Sequence, residues 1–593
     1  MTIKIICTLL LVALGKISEC YSFVINNSAE SDLTEDEIVS LRDFITTTMA
    51  CKNVTGLTIA MVRDGKTVFA DGFGYLRVGD DTPVTNKTLF NIGSVSKTFT
   101  ATIAADAIGR KLSNWDTPLR SILGEDFWLP GQFRTEEISL RDVLAHKAGI
   151  PSYWGVSTAA LNLTRKEIVR RIRHFHDARK FRSGWMYSNY MYVLAGYVTE
   201  VLTDNTWEEA VKTVIFDKLG MTSSRVSAEM TDSDWANTCW SRIDSEGINW
   251  IEVDEPGQIS FINEMAPAGG IFSNAVDMAE YMKFHLRYGK NEAGEQVVDE
   301  SALRNTYTPA FTMSSTCCLY KPYYPVDDTR TMYGLGWHKG SYRGFAKNYH
   351  TGSYSGYVCR FTLFHSKNSG AFVCVNSPGE NKDYDTVYAT SLYAYDLVLG
   401  LEPWLNSSTG CTYPNPWRSP PRTHSPHSPM TTPSNPPLRP LTDYVGEFGH
   451  FAFGNFSITF DAEAQVLRYE FGKHLWGTLS PHPTSSTTLF MRIEGPISYR
   501  EYYRSDSYPH GWPVDFTEDE NNNIVTVKVL YLEDDYPPVF TKGLKFADAP
   551  ETPPGKEDCS ISKAPATVVL MPEQSFTFVL LSIFEMMLNL YVK

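Results

Sequence analysis

Ser94 and Lys97 stand three residues apart in Asn91-Ile92-Gly93-Ser94-Val95-Ser96-Lys97-Thr98-Phe99-Thr100. On a helix that spacing puts both on one face, one turn apart, so Lys97 can set its amine beside the Ser94 hydroxyl. A serine hydroxyl is a weak nucleophile at neutral pH until a nearby base takes its proton. A lysine partly withdrawn from water can be that base or can tune one. A helix start adds partial positive charge where an oxyanion would form. Alone, the pair also reads as a polar helix start with Ser94 as its cap. Two further segments turn the balance toward chemistry.

The first is Gly184-Trp185-Met186-Tyr187-Ser188-Asn189-Tyr190. It opens a helical pattern with Val193, Leu194, Tyr197, Val198 and Val201 on one side. Tyr187 could accept the serine proton if neighbouring cations lower its pKa. Asn189 offers an amide to a substrate carbonyl or to Lys97. The second is Tyr349-His350-Thr351-Gly352-Ser353-Tyr354-Ser355-Gly356. It leads into two predicted strands, Tyr357–Phe364 and Ala371–Val375, joined by a turn at Ser366–Gly370. A glycine on a strand lets a ligand or another backbone approach closely. Taken singly, Tyr187 is equally a core tyrosine and His350 a core or surface histidine.

Together and in this order, the three motifs resemble the S-x-x-K, Y-x-N and K/H-T-G set of the serine β-lactamase and penicillin-binding-protein superfamily. The pattern is similar to class C β-lactamases, DD-peptidases and related esterases, over roughly residues 35 to 400. Ile138–Pro151, Ala266–Ser273 and Tyr333-Gly334-Leu335-Gly336-Trp337 resemble the superfamily as well. The resemblance implies Ser94 as an acyl-forming nucleophile, Lys97 as its activator and Tyr187 as a proton shuttle. It implies Asn189, His350, Thr351 and Gly352 as substrate-binding residues. The backbone amides of Ser94 and Ser353 match the oxyanion hole. Class C triplets begin with lysine, whereas this one begins with His350, as in DD-peptidases and many animal homologues. Histidine changes charge across the physiological range, so His350 is expected to read substrate charge in a pH-dependent way. No cofactor and no metal are implied. The expected substrate is a small amide, ester or peptide-like molecule. Animal relatives in secreted matrices, including mollusc shell, imply an alternative: a catalytically silent matrix or binding protein that keeps the fold.

The elements that must position these residues point to an α+β fold. Leu33 to Met49 reads as a helix, Leu57–Val62 and Thr67–Ala70 as a hairpin around Asp64-Gly65, and Thr386 to Leu399 as a closing helix. The resemblance adds an antiparallel sheet flanked by helices, an inserted helical region, and a cleft between them. At 593 residues the chain is long for one domain. We divide it into a signal peptide (1–20), a hydrolase domain (21–402), a linker (403–440), a β domain (441–548) and a tail (549–593). Pro414 to Pro440 holds ten prolines in 27 residues with many Ser and Thr, an extended stretch without a core. His424 and His427 within it read as solvated side chains rather than metal ligands. Beyond it, Asn455–Phe460, Leu467–Phe471 and Val525–Val529 alternate polar and apolar residues, which predicts a small antiparallel barrel or sandwich. Every motif residue precedes the linker, so the β domain is expected to be dispensable for the chemistry.

A net charge of −15 argues against nucleic acid as a partner. Met1 to Gly15 has a lysine and a short apolar run, which fits a signal peptide cleaved after Cys20 and hence secretion. Eight cysteines then remain of ten, and Cys359 and Cys374 on neighbouring predicted strands form the first candidate disulfide. N-x-S/T sequons at Asn26, Asn53, Asn86, Asn162, Asn406 and Asn455 become glycosylation candidates. The tail from Phe576 to Val592 is mostly apolar but carries Glu585 and Asn589. It is barely long enough to cross a bilayer. Three readings stay open for it: a GPI signal with attachment at Ser562, a segment that packs on the globular part, or a peripheral helix.

Overall fold

Thr34 opens the first helix, α1 (Glu35–Cys51), with a capping box. Its hydroxyl accepts from Glu37 N at 3.2 Å, and the Glu37 carboxylate accepts from Thr34 N at 2.7 Å. Leu41, Phe44, Ile45, Thr48 and Met49 form its buried stripe. A hairpin follows, β1 (Gly56–Arg63) and β2 (Lys66–Gly74). Its turn residues Asp64 and Gly65 both have positive φ, 49° and 79°, as a tight two-residue hairpin requires. The computed structural model describes residues 32–227, 235–236, 239–244, 247–252, 263–313, 324–377, 385–417, 436–504, 508, 510–545 and 549. The signal segment with Asn26, residues 418–435 with His424 and His427, and the apolar tail with Ser562 lie outside the described residues.

The hairpin joins strands from far along the chain. These are β3 (Phe311–Thr312), β4 (Met332–Tyr333), β5 (His338–Tyr342), β6 (Phe345–Tyr354), β7 (Tyr357–Phe364) and β8 (Ser369–Val375). They form one antiparallel sheet in the order β2-β1-β8-β7-β6-β5-β4-β3. Pairing β1 with β8 encloses the long intervening segment, which supplies the helices on one face. Side chains alternate along β1 accordingly. Leu57, Ile59 and Met61 face a core shared with α1 and the closing helix, while Ala60 and Val62 face the helical insertion. Among the inserted helices, α2 (Ser96–Gly109) is buried on nearly every side, from Ser96 through Ala107. Helix α3 (Asn189–Thr203) buries Val193, Leu194 and Val198 as the periodicity predicts. Val201, expected on the same side, is 43% exposed. Helix α4 (Asp385–Leu399) closes the sheet on the α1 side.

Cys359 and Cys374 lie directly opposite each other on β7 and β8 and are disulfide-bonded, as strand adjacency predicts. A second disulfide, Cys51–Cys411, was not legible in the spacing. It ties α1 to the short helix Ser407–Thr412, so the first residues assigned to the linker are bound to the hydrolase region.

Eight strands between Gly446 and Lys542 form a closed barrel, each antiparallel to the next and the last returning to the first. Closure leaves no sheet edge, which a sandwich would have kept. Phe456, Ile458, Leu467, Tyr469 and Phe471 are buried, while Asn455 on the alternate face is exposed.

The barrel packs against the inserted helical region. Tyr153 N donates to the Glu533 carboxylate at 2.6 Å and Gly155 N to Leu532 O at 3.2 Å. The hydroxyls of Thr158 and Tyr531 are 3.1 Å apart. Trp154 packs on Trp512 and Tyr531, and Tyr153 and Phe175 pack on Phe453. A Cβ on Gly155 would come within 2.2 Å of Tyr531 O, so glycine is needed for this approach. One buried core runs from the inserted helices into the barrel. The proline-rich stretch suggested a separate unit, and the two parts instead share a buried core. Apolar aromatics on both partners bury each other once the chain folds back, and no local pattern in the stretch itself reveals that.

Candidate active site

Ser94 sits in a single 3₁₀ turn, Gly93–Val95, that leads straight into α2. Asn91 Oδ1 accepts from Gly93 N at 2.7 Å and shapes this turn. Gly93 has φ 51°, and a Cβ there would lie 2.6 Å from Ser353 N. A Cβ on Gly352 would lie 1.9 Å from Ile92 O and 3.2 Å from Ser94 N. Two glycines thus let the serine turn and β6 touch, and the amides of Ser94 and Ser353 come together across the contact.

Lys97 is fully buried beneath the half-buried Ser94. Its Nζ lies 3.0 Å from Ser94 Oγ, 2.8 Å from Asn189 Oδ1 and 2.7 Å from Ala268 O. The last two can only accept. A neutral amine donates its two hydrogens to them and turns its lone pair to the serine hydroxyl. Burial lowers the Lys97 pKa well below the usual 10.5 and so favours that neutral form. Tyr187 donates to Ser94 Oγ at 2.8 Å. Burial raises its pKa above the ordinary 10, which keeps it a phenol at rest. Burial is the larger influence and the Ser94 hydrogen bond the opposing one, so the lowering by cations that a resting base would need is not found at Tyr187. Ser188 N donates to His146 Nδ1 at 3.2 Å and Ser188 Oγ to Pro151 O at 3.0 Å, which seats the start of α3.

His350 is 1% exposed. Nδ1 lies 2.7 Å from the Thr351 carbonyl and therefore donates to it. Nε2 lies 3.1 Å from the Tyr333 hydroxyl and is left to accept. Both nitrogens are satisfied in one neutral tautomer. Burial, with the nearby Lys97, lowers its pKa to about 3. His350 lines the cleft, but burial favours its uncharged form near neutral pH, so the charge-reading role expected of it finds no support here.

A cleft of about 270 Å³ opens at Ser94. Tyr187, Thr351, Gly352 and Ser353 line it, with Trp185, Val387 and Tyr388 adding apolar surface and the exposed Arg330 a cation. Ser94, Lys97, Tyr187, Asn189, His350, Thr351, Gly352 and Ser353 are therefore one constellation, drawn from three distant segments. Ala268, Tyr333, His146 and Arg330 were missed as site residues. The first three lie in segments whose resemblance to the superfamily was visible, whereas Arg330 carried no signal.

A sequence model described as Beta-lactamase matches residues 41–394, and the chain belongs to the β-lactamase family. It is 24% identical over 432 residues to an unguisins hydrolase of Aspergillus campestris (strain IBT 28561), covering 70% of this chain and 76% of that one. It is 24% identical over 256 residues to a β-lactamase of Escherichia coli (strain K12), covering 41% of this chain and 59% of that one. The octameric penicillin-binding protein homologue from Pyrococcus abyssi shares the fold, with a TM-score of 0.51 over 85% of this chain and 100% of that one, at 21% identity.

Proposed function

We propose that the protein is a serine hydrolase that opens an amide or ester bond through an acyl-enzyme on Ser94. The observation that carries this is the Lys97 environment, a buried amine whose two hydrogens go to Asn189 and Ala268 and whose lone pair faces Ser94. Ser94 Oγ attacks the carbonyl carbon and its proton passes to Lys97. The carbonyl electron pair moves onto oxygen, where the Ser94 and Ser353 amides hold it. Collapse restores the carbonyl and expels the amine or alcohol, which takes the Tyr187 proton. The Lys97 ammonium beside the phenolate returns that proton. Water then repeats the sequence and frees Ser94.

A peptide-like substrate fits an apolar wall of Trp185, Val387 and Tyr388 around the scissile bond. A relative that matches most of both chains is by name a hydrolase of unguisins, which supports hydrolysis as the activity. We also propose export, with glycans on the exposed Asn162, Asn406 and Asn455 before the half-buried Asn53 and Asn86. Glycosidase treatment of protein from the medium, read by mass, tests that. The test of the chemistry is labelling with a fluorophosphonate, mapped by peptide mass spectrometry. One adduct on Ser94, absent from Ser94→Ala, is the expected result. A folded protein without an adduct sinks the hydrolase reading and leaves the silent matrix alternative.

A further inference from the structure

The turn that follows Ser353 is held by the barrel. β6 and β7 pair Ser353 with Val358 and Tyr354 with Tyr357, which leaves Ser355 and Gly356 as a two-residue hairpin turn. Both have positive φ, 43° and 103°. Such turns favour Asn-Gly or Gly-Gly, and a serine in the first place resists the left-handed backbone. Positions of this kind persist only where their surroundings hold them. Here the support comes from 144 residues further on: Ser355 Oγ and the Tyr499 hydroxyl are 2.7 Å apart, both side chains buried. Arg500 Nε donates to the same Tyr499 oxygen at 3.2 Å, which fixes the phenol further. Tyr499 lies in the helical turn Gly495–Arg504 that follows a barrel strand. The barrel also grips the opposite wall. Tyr153, Gly155 and Thr158 bond to Glu533, Leu532 and Tyr531, a few residues beyond Pro151, whose carbonyl holds Ser188.

We propose that the barrel is part of the catalytic apparatus, and that Tyr499 is a positioning residue: through Ser355 it holds the hairpin tip that presents the Ser353 amide to the oxyanion. This rests on the acyl-enzyme reading above. The physical link is short. Ser353 is two residues from the clamped turn and sits where β6 has β7 on one side and the serine turn on the other. A hairpin end whose turn is unfavourable frays, and a frayed tip moves the amide by the fraction of an ångström that oxyanion stabilisation cannot tolerate.

The experiment uses the full chain and Tyr499→Phe, which removes one hydroxyl. Acylation by a fluorophosphonate gives the rate at saturation and the half-saturating concentration separately. Hydrogen exchange is followed in a peptide spanning 350–358 and in a barrel peptide spanning 454–461. The expected result is a saturating rate lower by about tenfold and a half-saturating concentration within about twofold. Exchange should be faster in 350–358 alone, with the melting temperature within about 2 °C. Adding Ser355→Gly, which makes the turn favourable by itself, should restore the rate. Unchanged acylation with unchanged exchange overturns the proposal. So does slower acylation without faster exchange at 350–358, and so does faster exchange in both peptides with a lower melting temperature. If wild type takes no label on Ser94, the hydrolase reading fails, and the exchange data still decide whether Tyr499 holds the turn.

Discussion

Lys97 lies wholly inside the protein, and burial lowers its pKa well below 10.5. Acylation needs its free amine, so the rate should rise with pH through an apparent pKa under the ordinary lysine value and then level off. Fluorophosphonate labelling rates across pH measure this, and a rate that falls over that range contradicts the role of base. Lys97→Arg stays protonated and should lose about 10³-fold or more in the same assay. His350 behaves differently from a surface histidine. It titrates in the unfolded chain near 6.5 and in the fold near 3. Below 6.5 the unfolded chain therefore binds a proton that the native one refuses, and stability declines as pH falls toward 3. The slope is at most about 1.4 kcal/mol per pH unit for this group. His146 and His338, shifted the same way by burial, add to it. Urea midpoints at pH 7 and pH 5 should show the decline, and His350→Gln should make it shallower. Arg330 is an exposed cation lining the cleft, where a substrate carboxylate would meet it. Arg330→Gln should raise KM for a carboxylate-bearing ester about tenfold and leave a neutral ester unchanged.

The site is assembled where α2, α3 and β6 converge. The serine turn and β6 meet through Gly93 and Gly352, with no room for a side chain at either. Gly352→Ala must push β6 off the Ile92 carbonyl and separate the two amides. A displacement near 1 Å costs about 10²-fold in rate, so labelling of Ser94 should slow by at least that much while the far-ultraviolet spectrum stays unchanged. At this level the sequence was informative. The three-residue spacing of Ser94 and Lys97 and the glycine after Thr351 both announce close approach. The partner across each contact was not announced, because nothing in Gly352 itself indicates that Ile92 and Ser94 lie against it.

On the scale of the whole molecule, two devices join distant parts. Cys51–Cys411 closes a loop of 360 residues and pins α1 to the end of the hydrolase region. In the chain-entropy account a loop this long is worth about 6 kcal/mol. Replacing both cysteines with serine should lower the melting temperature and leave the labelling rate of Ser94 unaltered. The barrel is the second device. A chain ending near Leu401 would uncover Tyr153, Trp154 and Phe175, which now pack on the barrel, and would leave Ser355 without Tyr499. Such a chain should be less soluble and label at Ser94 at least about tenfold more slowly than the full chain, as gel-based labelling would show. Full-rate labelling of a soluble fragment would restore the independence suggested by the proline-rich stretch.

The sequence by itself determined the chemistry on offer and the elements that carry it. Three short motifs in order, a sheet that alternates with period two, and helices with buried stripes are all written in neighbours a few residues apart. The Cys359–Cys374 pair was legible for the same reason, since the two strands are joined by one short turn. Only the tertiary structure decided which groups hold charge and what supports them. Desolvation depends on every atom packed around a side chain. Burial therefore favours a neutral Lys97, a phenol at Tyr187 and an uncharged His350, through residues far from each in the chain. The contact of the barrel with the β6–β7 turn has the same origin, a single hydroxyl pair between residues 144 apart that no local pattern encodes.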